Sequence, residues 1–161
     1  MRSKRIRVLK RVPIGIIFLG LSLNLFILPH LVTAQTAPVL YPGFAPIEES
    51  KAYLKFLESP KSDYAKILFL IDRFGEADAE IIYEGYVFST TFAAHFARQF
   101  LSRQYRGETP EKWIMRWCNT SVIKGELIWV RLPNQKYKLS REVLLEEVKV
   151  LEECLKGKPV S

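Results

Sequence analysis

The sequence predicts an α+β fold, with helices packed on small antiparallel β-hairpins in a single domain. Three observations predict it. Two stretches read as paired strands around short turn signals, Glu84-Gly85 and Pro133-Asn134-Gln135. Five other stretches carry apolar residues at helical spacing, and most open with a capping residue. In chain order they run helix, helix, hairpin, helix, helix, hairpin, helix. That order suits helices gathered on a small antiparallel sheet.

The first 34 residues read as a targeting segment. Arg2, Lys4, Arg5, Arg7, Lys10 and Arg11 form a basic head, and an apolar run covers 14–28. Val32 and Ala34 supply the small residues of a cleavage site, with the cut after Ala34, so 1–34 is expected to be a secretory signal peptide. A retained membrane anchor at 14–32 is the alternative, since its 19 residues approach the roughly 20 that cross a bilayer. Asn24, Pro29 and His30 weaken that anchor. The leader also changes what the charge means. The whole chain is +7, but the leader holds six basic residues and no acidic one, which leaves 18 basic against 17 acidic, or +1. No nucleic-acid partner is expected on that balance.

Residues 35–46, with three prolines and a glycine, read as an extended linker, and 47–161 as the α+β domain. Pro46 suits a helix first turn. In "IEESKAYLKFLES" the apolar Ile47, Leu54 and Leu57 mark the expected inner face, and Pro60 ends the helix. Ser62 or Asp63 caps "YAKILFLIDRF", and Gly75 is expected to close it. The two-residue loop at Glu84-Gly85 then pairs Tyr83 with Tyr86, Ile82 with Val87 and Ile81 with Phe88. Both faces of that hairpin are apolar, so it is expected to be covered on at least one side and partly on the other. Ser89 caps the next helix, where Phe92, Phe96 and Phe100 form a stripe read as core. Thr109 caps "PEKWIMRWC", with Pro110 in the first position and Trp113, Ile114, Trp117 and Cys118 on one face. In "GELIWVRLPNQKYKL", Leu127, Trp129 and Arg131 share one face, and Ile128, Val130 and Leu132 the other. Tyr137 and Leu139 alternate with Lys136 and Lys138, as on an edge strand. Ser140 is expected to cap the last helix, with Leu144, Val148, Leu151 and Leu155 as its apolar stripe and Gly157 as its stop.

Residues 63–150 resemble domain-of-unknown-function family 5329, small secreted bacterial proteins without an assigned activity. The resemblance rests on a helix, an aromatic hairpin ending in "YVFS", an alanine-bearing helix, "TPEKWI", and the tail "NTSVIKGELIWVRLPNQKYKLSREVLLEEV". Ser121, Gly125, Val130, Arg131, Leu132, Pro133 and Ser140 match the family outline of that tail. The family has an Asn-Gly turn where this chain has Glu84-Gly85. The resemblance implies the fold and an exported location, the bacterial periplasm or cell envelope, and implies no chemistry.

The residues themselves offer little chemistry. Beyond the leader, His95 is the only histidine, and Cys118 and Cys154 lie 36 positions apart. No zinc-ligand spacing results, so no metal and no cofactor is expected. In an oxidising compartment Cys118 and Cys154 are expected to pair as a disulfide, with two buried free thiols as the alternative. A catalytic Cys118–His95 pair would make the chain a small secreted enzyme. The acidic pairs Glu48-Glu49, Glu146-Glu147 and Glu152-Glu153 are adjacent on helices and do not converge, so they read as solvated faces. Residues 98–141 hold ten basic and three acidic residues. Tyr83, Tyr86, His95, Arg98 and Arg131 are therefore the candidate binding residues. The expected role is a non-enzymatic envelope module that binds a protein partner or an anionic lipid or polymer.

Overall fold

A computed structural model describes Tyr41 and residues 43–157. The leader and most of the linker lie outside the described residues. After a short 3-10 turn at Ile47–Glu49 come α1 (Lys51–Leu57), α2 (Asp63–Glu76), β1 (Glu80–Tyr83), β2 (Tyr86–Ser89), α3 (Thr90–Gln104), α4 (Pro110–Trp117), β3 (Trp129–Arg131), β4 (Lys138–Leu139) and α5 (Ser140–Leu155). The four strands form one antiparallel sheet in the order β2-β1-β3-β4. The α+β class and both hairpins are as the sequence predicts. The hairpins meet side by side, because β1 also pairs with β3.

Short-range signals act where they stand. The Oγ of Ser62 accepts from Ala65 N–H, that of Ser89 from Phe92 N–H, and Thr109 Oγ1 from Lys112 N–H. Each satisfies one N–H that a helix start leaves open. The first hairpin has the expected register, Tyr83 opposite Tyr86 and Ile81 opposite Phe88. Its loop places Glu84 at φ 53° and Gly85 at φ 81°, both left-handed, the geometry that matches the twist of a tight hairpin.

Helix α2 is the centre of the packing and touches α1, α3, α4 and α5. Ile67, Phe69, Leu70, Ile71 and Phe74 are buried along it, so this helix is covered on most sides. Leu101, Ile114, Val130, Val143 and Val150 reach it or its neighbours with no exposed surface.

Four expectations are corrected. The first helix is divided at Ser50, whose extended backbone and Oγ bond from Tyr53 N–H start a new helix at Lys51. The restart turns Ala52, Tyr53 and Phe56 inward and leaves Leu54 and Leu57 exposed. Gly75 does not close α2. It lies inside the helix, and a Cβ there would stand 2.8 Å from Ala94 Cβ, so it marks the close approach of α2 and α3. That approach sets the rotation of α3. Thr90 Oγ1 donates to Ala77 O at 2.6 Å and Ala94 and Leu101 face the core, so Phe92 and Phe96 turn outward. Ser140 is the first residue of α5 rather than its cap. It is buried, its N–H donates to Ile128 O, and Leu139 holds the cap position.

The acidic pair Glu146-Glu147 is also not a solvated face. Glu147 is buried and ion-paired to the buried Arg73. The disulfide is not formed: Cys118 and Cys154 are free. Cys118 closes α4 through its N–H to Ile114 O, while the Cys154 thiol donates to Glu48 Oε1 at 3.3 Å.

Candidate functional site

The five candidate binding residues meet different partners. Tyr83 carries structure: its hydroxyl accepts from Val122 N–H at 3.1 Å and, with Glu84 Oε1 accepting from Lys124 N–H, pins the loop after α4. Arg98 is spent on an ion pair, its Nε 2.5 Å from Asp72 Oδ1. Asp72 also accepts from Lys55 Nζ at 2.8 Å, so one buried carboxylate ties α1 and α3 to α2. Arg131 pairs with Glu80 across β1 and β3, and its guanidinium lies 5.9 Å from the Tyr137 ring. Tyr86 and His95 remain, and they stand at the two ends of one aromatic row.

That row crosses from β2 to α3. Tyr86 lies 6.4 Å from Phe88, Phe88 stacks on Phe92 at 5.4 Å, Phe92 meets Phe96 at 4.8 Å, and His95 lies edge-on to Phe96 at 6.1 Å. His95 is exposed, and its Nε2 shares a hydrogen bond with Gln99 at 3.1 Å. Among the described residues no hydrogen bond joins it to Cys118. Burial pushes the Cys118 thiol up to about 12. A reactive cysteine needs the opposite shift, since the thiolate is the nucleophile.

The sheet itself carries a second surface, which the candidate residues missed. Paired residues in an antiparallel sheet point to the same side. Ile81, Phe88 and Val130 therefore share the side packed on the helices. Ile82, Val87, Trp129 and Leu139 share the other. Period-two alternation adds Leu127 and Tyr137 to it. On this side Val87 is 57% exposed, Tyr137 51%, Leu127 40% and Trp129 36%. Ile82, Trp129 and Tyr137 line a shallow depression, with the Glu80–Arg131 pair beside it. No element among the described residues covers this face. Elsewhere, the pinned loop presents Val122 and Ile123, 66% and 81% exposed. The sequence did hold a signal, because both hairpins have apolar residues on both faces. One layer of helices can cover only one of those faces.

Several basic residues of the 98–141 segment are engaged by neighbours. Arg98 and Arg131 meet acids from outside it, Asp72 and Glu80. Arg141 donates to Asn119 Oδ1, and Lys138 lies over the Tyr41 ring. Among the described residues no three or more His, Cys, Asp or Glu side chains gather as a metal-binding group, and no helix is long and apolar enough to cross a membrane. No family model, curated protein or solved structure matches the chain.

Proposed function

We propose that the chain is a non-enzymatic, exported envelope module whose open sheet face docks a protein partner. One observation carries the reading: Leu127, Trp129, Tyr137 and Val87 are exposed together on a sheet face that no described element covers. Contiguous apolar patches of this kind, rimmed by polar groups, mark interaction sites. Trp and Tyr are the residue types that anchor such sites. The anionic-surface version draws less support, because two of its arginines are neutralised by ion pairs. Export to the bacterial envelope rests on the order of basic head, apolar run and small residues in the leader. Kinship with family 5329 rests on the tail motif and agrees with that location.

A photo-crosslinking residue at Trp129 in the full-length chain, expressed in its own cells, tests the docking. The expected result is a discrete adduct that disappears when Tyr137→Asp is added. The same crosslinker at the exposed Lys112 on α4 should not give that adduct. Absence of any adduct at Trp129, or one identical adduct from both positions, counts against the reading.

A further inference from the structure

Strand β2 is an open edge of the sheet, because the order β2-β1-β3-β4 gives it one neighbour. Its backbone has a defined parity. Thr90 N–H donates to Ala79 O, and bonded pairs recur at every second position, so Ile81–Phe88 and Tyr83–Tyr86 are the bonded pairs of the hairpin. Val87 and Ser89 therefore turn their N–H and C=O groups away from β1. Native sheets blunt such edges with charge, proline or shortness. The far edge is blunted in all three ways: β4 is two residues long, Lys136 and Lys138 line its approach, and Pro133 precedes it. Strand β2 reads Tyr-Val-Phe-Ser and has neither charge nor proline.

Apolar surface flanks this edge on both sides of the sheet. Tyr86 is 67% exposed, Val87 57%, Phe92 48% and Phe96 55%. At the 150–250 Å² that each aromatic can bury, the three rings expose on the order of 300 Å², and Val87 adds to it. A standard interface takes roughly 800 Å² from each partner. The open strand backbone, His95 and Gln99 extend the same patch toward that size. None of these residues is a Lys, Arg, Asp or Glu, so two copies can meet here without like-charge repulsion.

We propose that β2 pairs antiparallel with β2 of a second copy, about a two-fold axis through Val87, to make one continuous sheet. Parity admits only registers that set one outward-facing residue opposite another, and because Ser89 already opens α3 the contact centres on Val87. Val87 then faces Val87 of the second copy, and Tyr86 faces its Phe88. The Phe88–Phe92 stack, only 7° from parallel, continues into the Tyr86 ring of the other chain. Helix α3 lies on the Phe88 side of the sheet in both copies, so the outward Phe92 and Phe96 of one meet those of the other. A single self-complementary contact covers the edge and the aromatic row together.

Sedimentation of the full-length chain in a mild neutral detergent, across a concentration series, tests this. The expected mass is that of two chains. Val87→Pro removes an N–H that the single chain does not use, and Phe96→Glu places a charge on the contact. Each is expected to give the single-chain mass with an unchanged circular dichroism spectrum. Tyr137→Asp, on the open sheet face, should leave the dimer intact. A single-chain mass for the unmodified protein overturns the proposal. A dimer that persists in both Val87→Pro and Phe96→Glu overturns it as well.

Discussion

Arg73 Nε lies 2.6 Å from Glu147 Oε2, and both side chains are almost fully buried. The Arg73 guanidinium also donates through Nη2 to Ala45 O at 2.7 Å, so one cation joins α2, α5 and the entry to the domain. Glu147 Oε1 has no protein hydrogen-bond partner. Removing one member leaves an uncompensated buried charge, which typically costs about 3–5 kcal/mol. Arg73→Met should lose stability on that scale in urea unfolding. The double variant Arg73→Met/Glu147→Leu should recover most of it. A double variant no more stable than Arg73→Met would refute this account of the pair.

The same carboxyl makes stability depend on pH. Burial raises Glu147 above the usual carboxylate range, and Arg73 opposes the rise without cancelling it. The native chain thus holds a proton at a pH where the unfolded chain has released it. The stability from this group is fully present below the unfolded carboxylate value, about 4.3. It is lost as pH rises from there through the raised native value. Unfolding midpoints measured across that window should fall with pH in the unmodified protein. Glu147→Gln should flatten the slope, and an unchanged slope would show that another group carries it.

Gly75 fixes how closely α2 and α3 approach. A Cβ at this site already meets Ala94 Cβ at 2.8 Å, so a larger side chain must push the helices apart. Gly75→Leu should cost at least about 1–3 kcal/mol, the usual range for overpacking, despite leucine's better helix propensity. Pairing it with Ala94→Gly should restore part of the loss. Thermal unfolding of both variants measures this, and a neutral Gly75→Leu would mean that the helices slide freely.

Tyr83→Phe keeps the ring and removes the oxygen that accepts from Val122 N–H. The expected loss is about 0.5–1.5 kcal/mol, the net worth of one hydrogen bond. The better measurement is local: amide exchange at Val122 should accelerate while exchange in α2 does not. Unchanged exchange at Val122 would mean that Glu84 and Ser121 hold this loop by themselves.

The legible parts of the fold were those set by near neighbours. A cap acts on an N–H three positions away, and a two-residue loop fixes its own register. Ser62, Ser89, Thr109 and the Tyr83–Tyr86 pairing could therefore be read directly. Which side of an element faces inward depends on distant contacts. Phe92 and Phe96 have helical spacing whether they face the core or solvent, and the Gly75–Ala94 approach decides between the two. Arg73 and Glu147 are 74 positions apart, and nothing local to either announces the other. Around the candidate surfaces, the nearness of Tyr86 and His95 follows from short range, since the hairpin runs directly into the helix that carries His95. Trp129 and Tyr137 were read as strand residues. Their exposure follows from the helices gathering on the other side of the sheet, which no single stretch reveals.

The two free thiols are both shielded in the folded domain. Burial and the neighbouring Glu48 push the Cys154 thiol up to about 12, and Cys118 is equally unwilling to ionise near neutrality. Exchange chemistry needs a thiolate, so neither sulfur is ready to start it. In the folded domain both thiols therefore stay out of exchange in a reducing or an oxidising compartment. Alkylation near neutral pH should be slow at both cysteines of the folded domain and fast once the chain is unfolded in urea; equal rates in the two states would show that burial does not protect them.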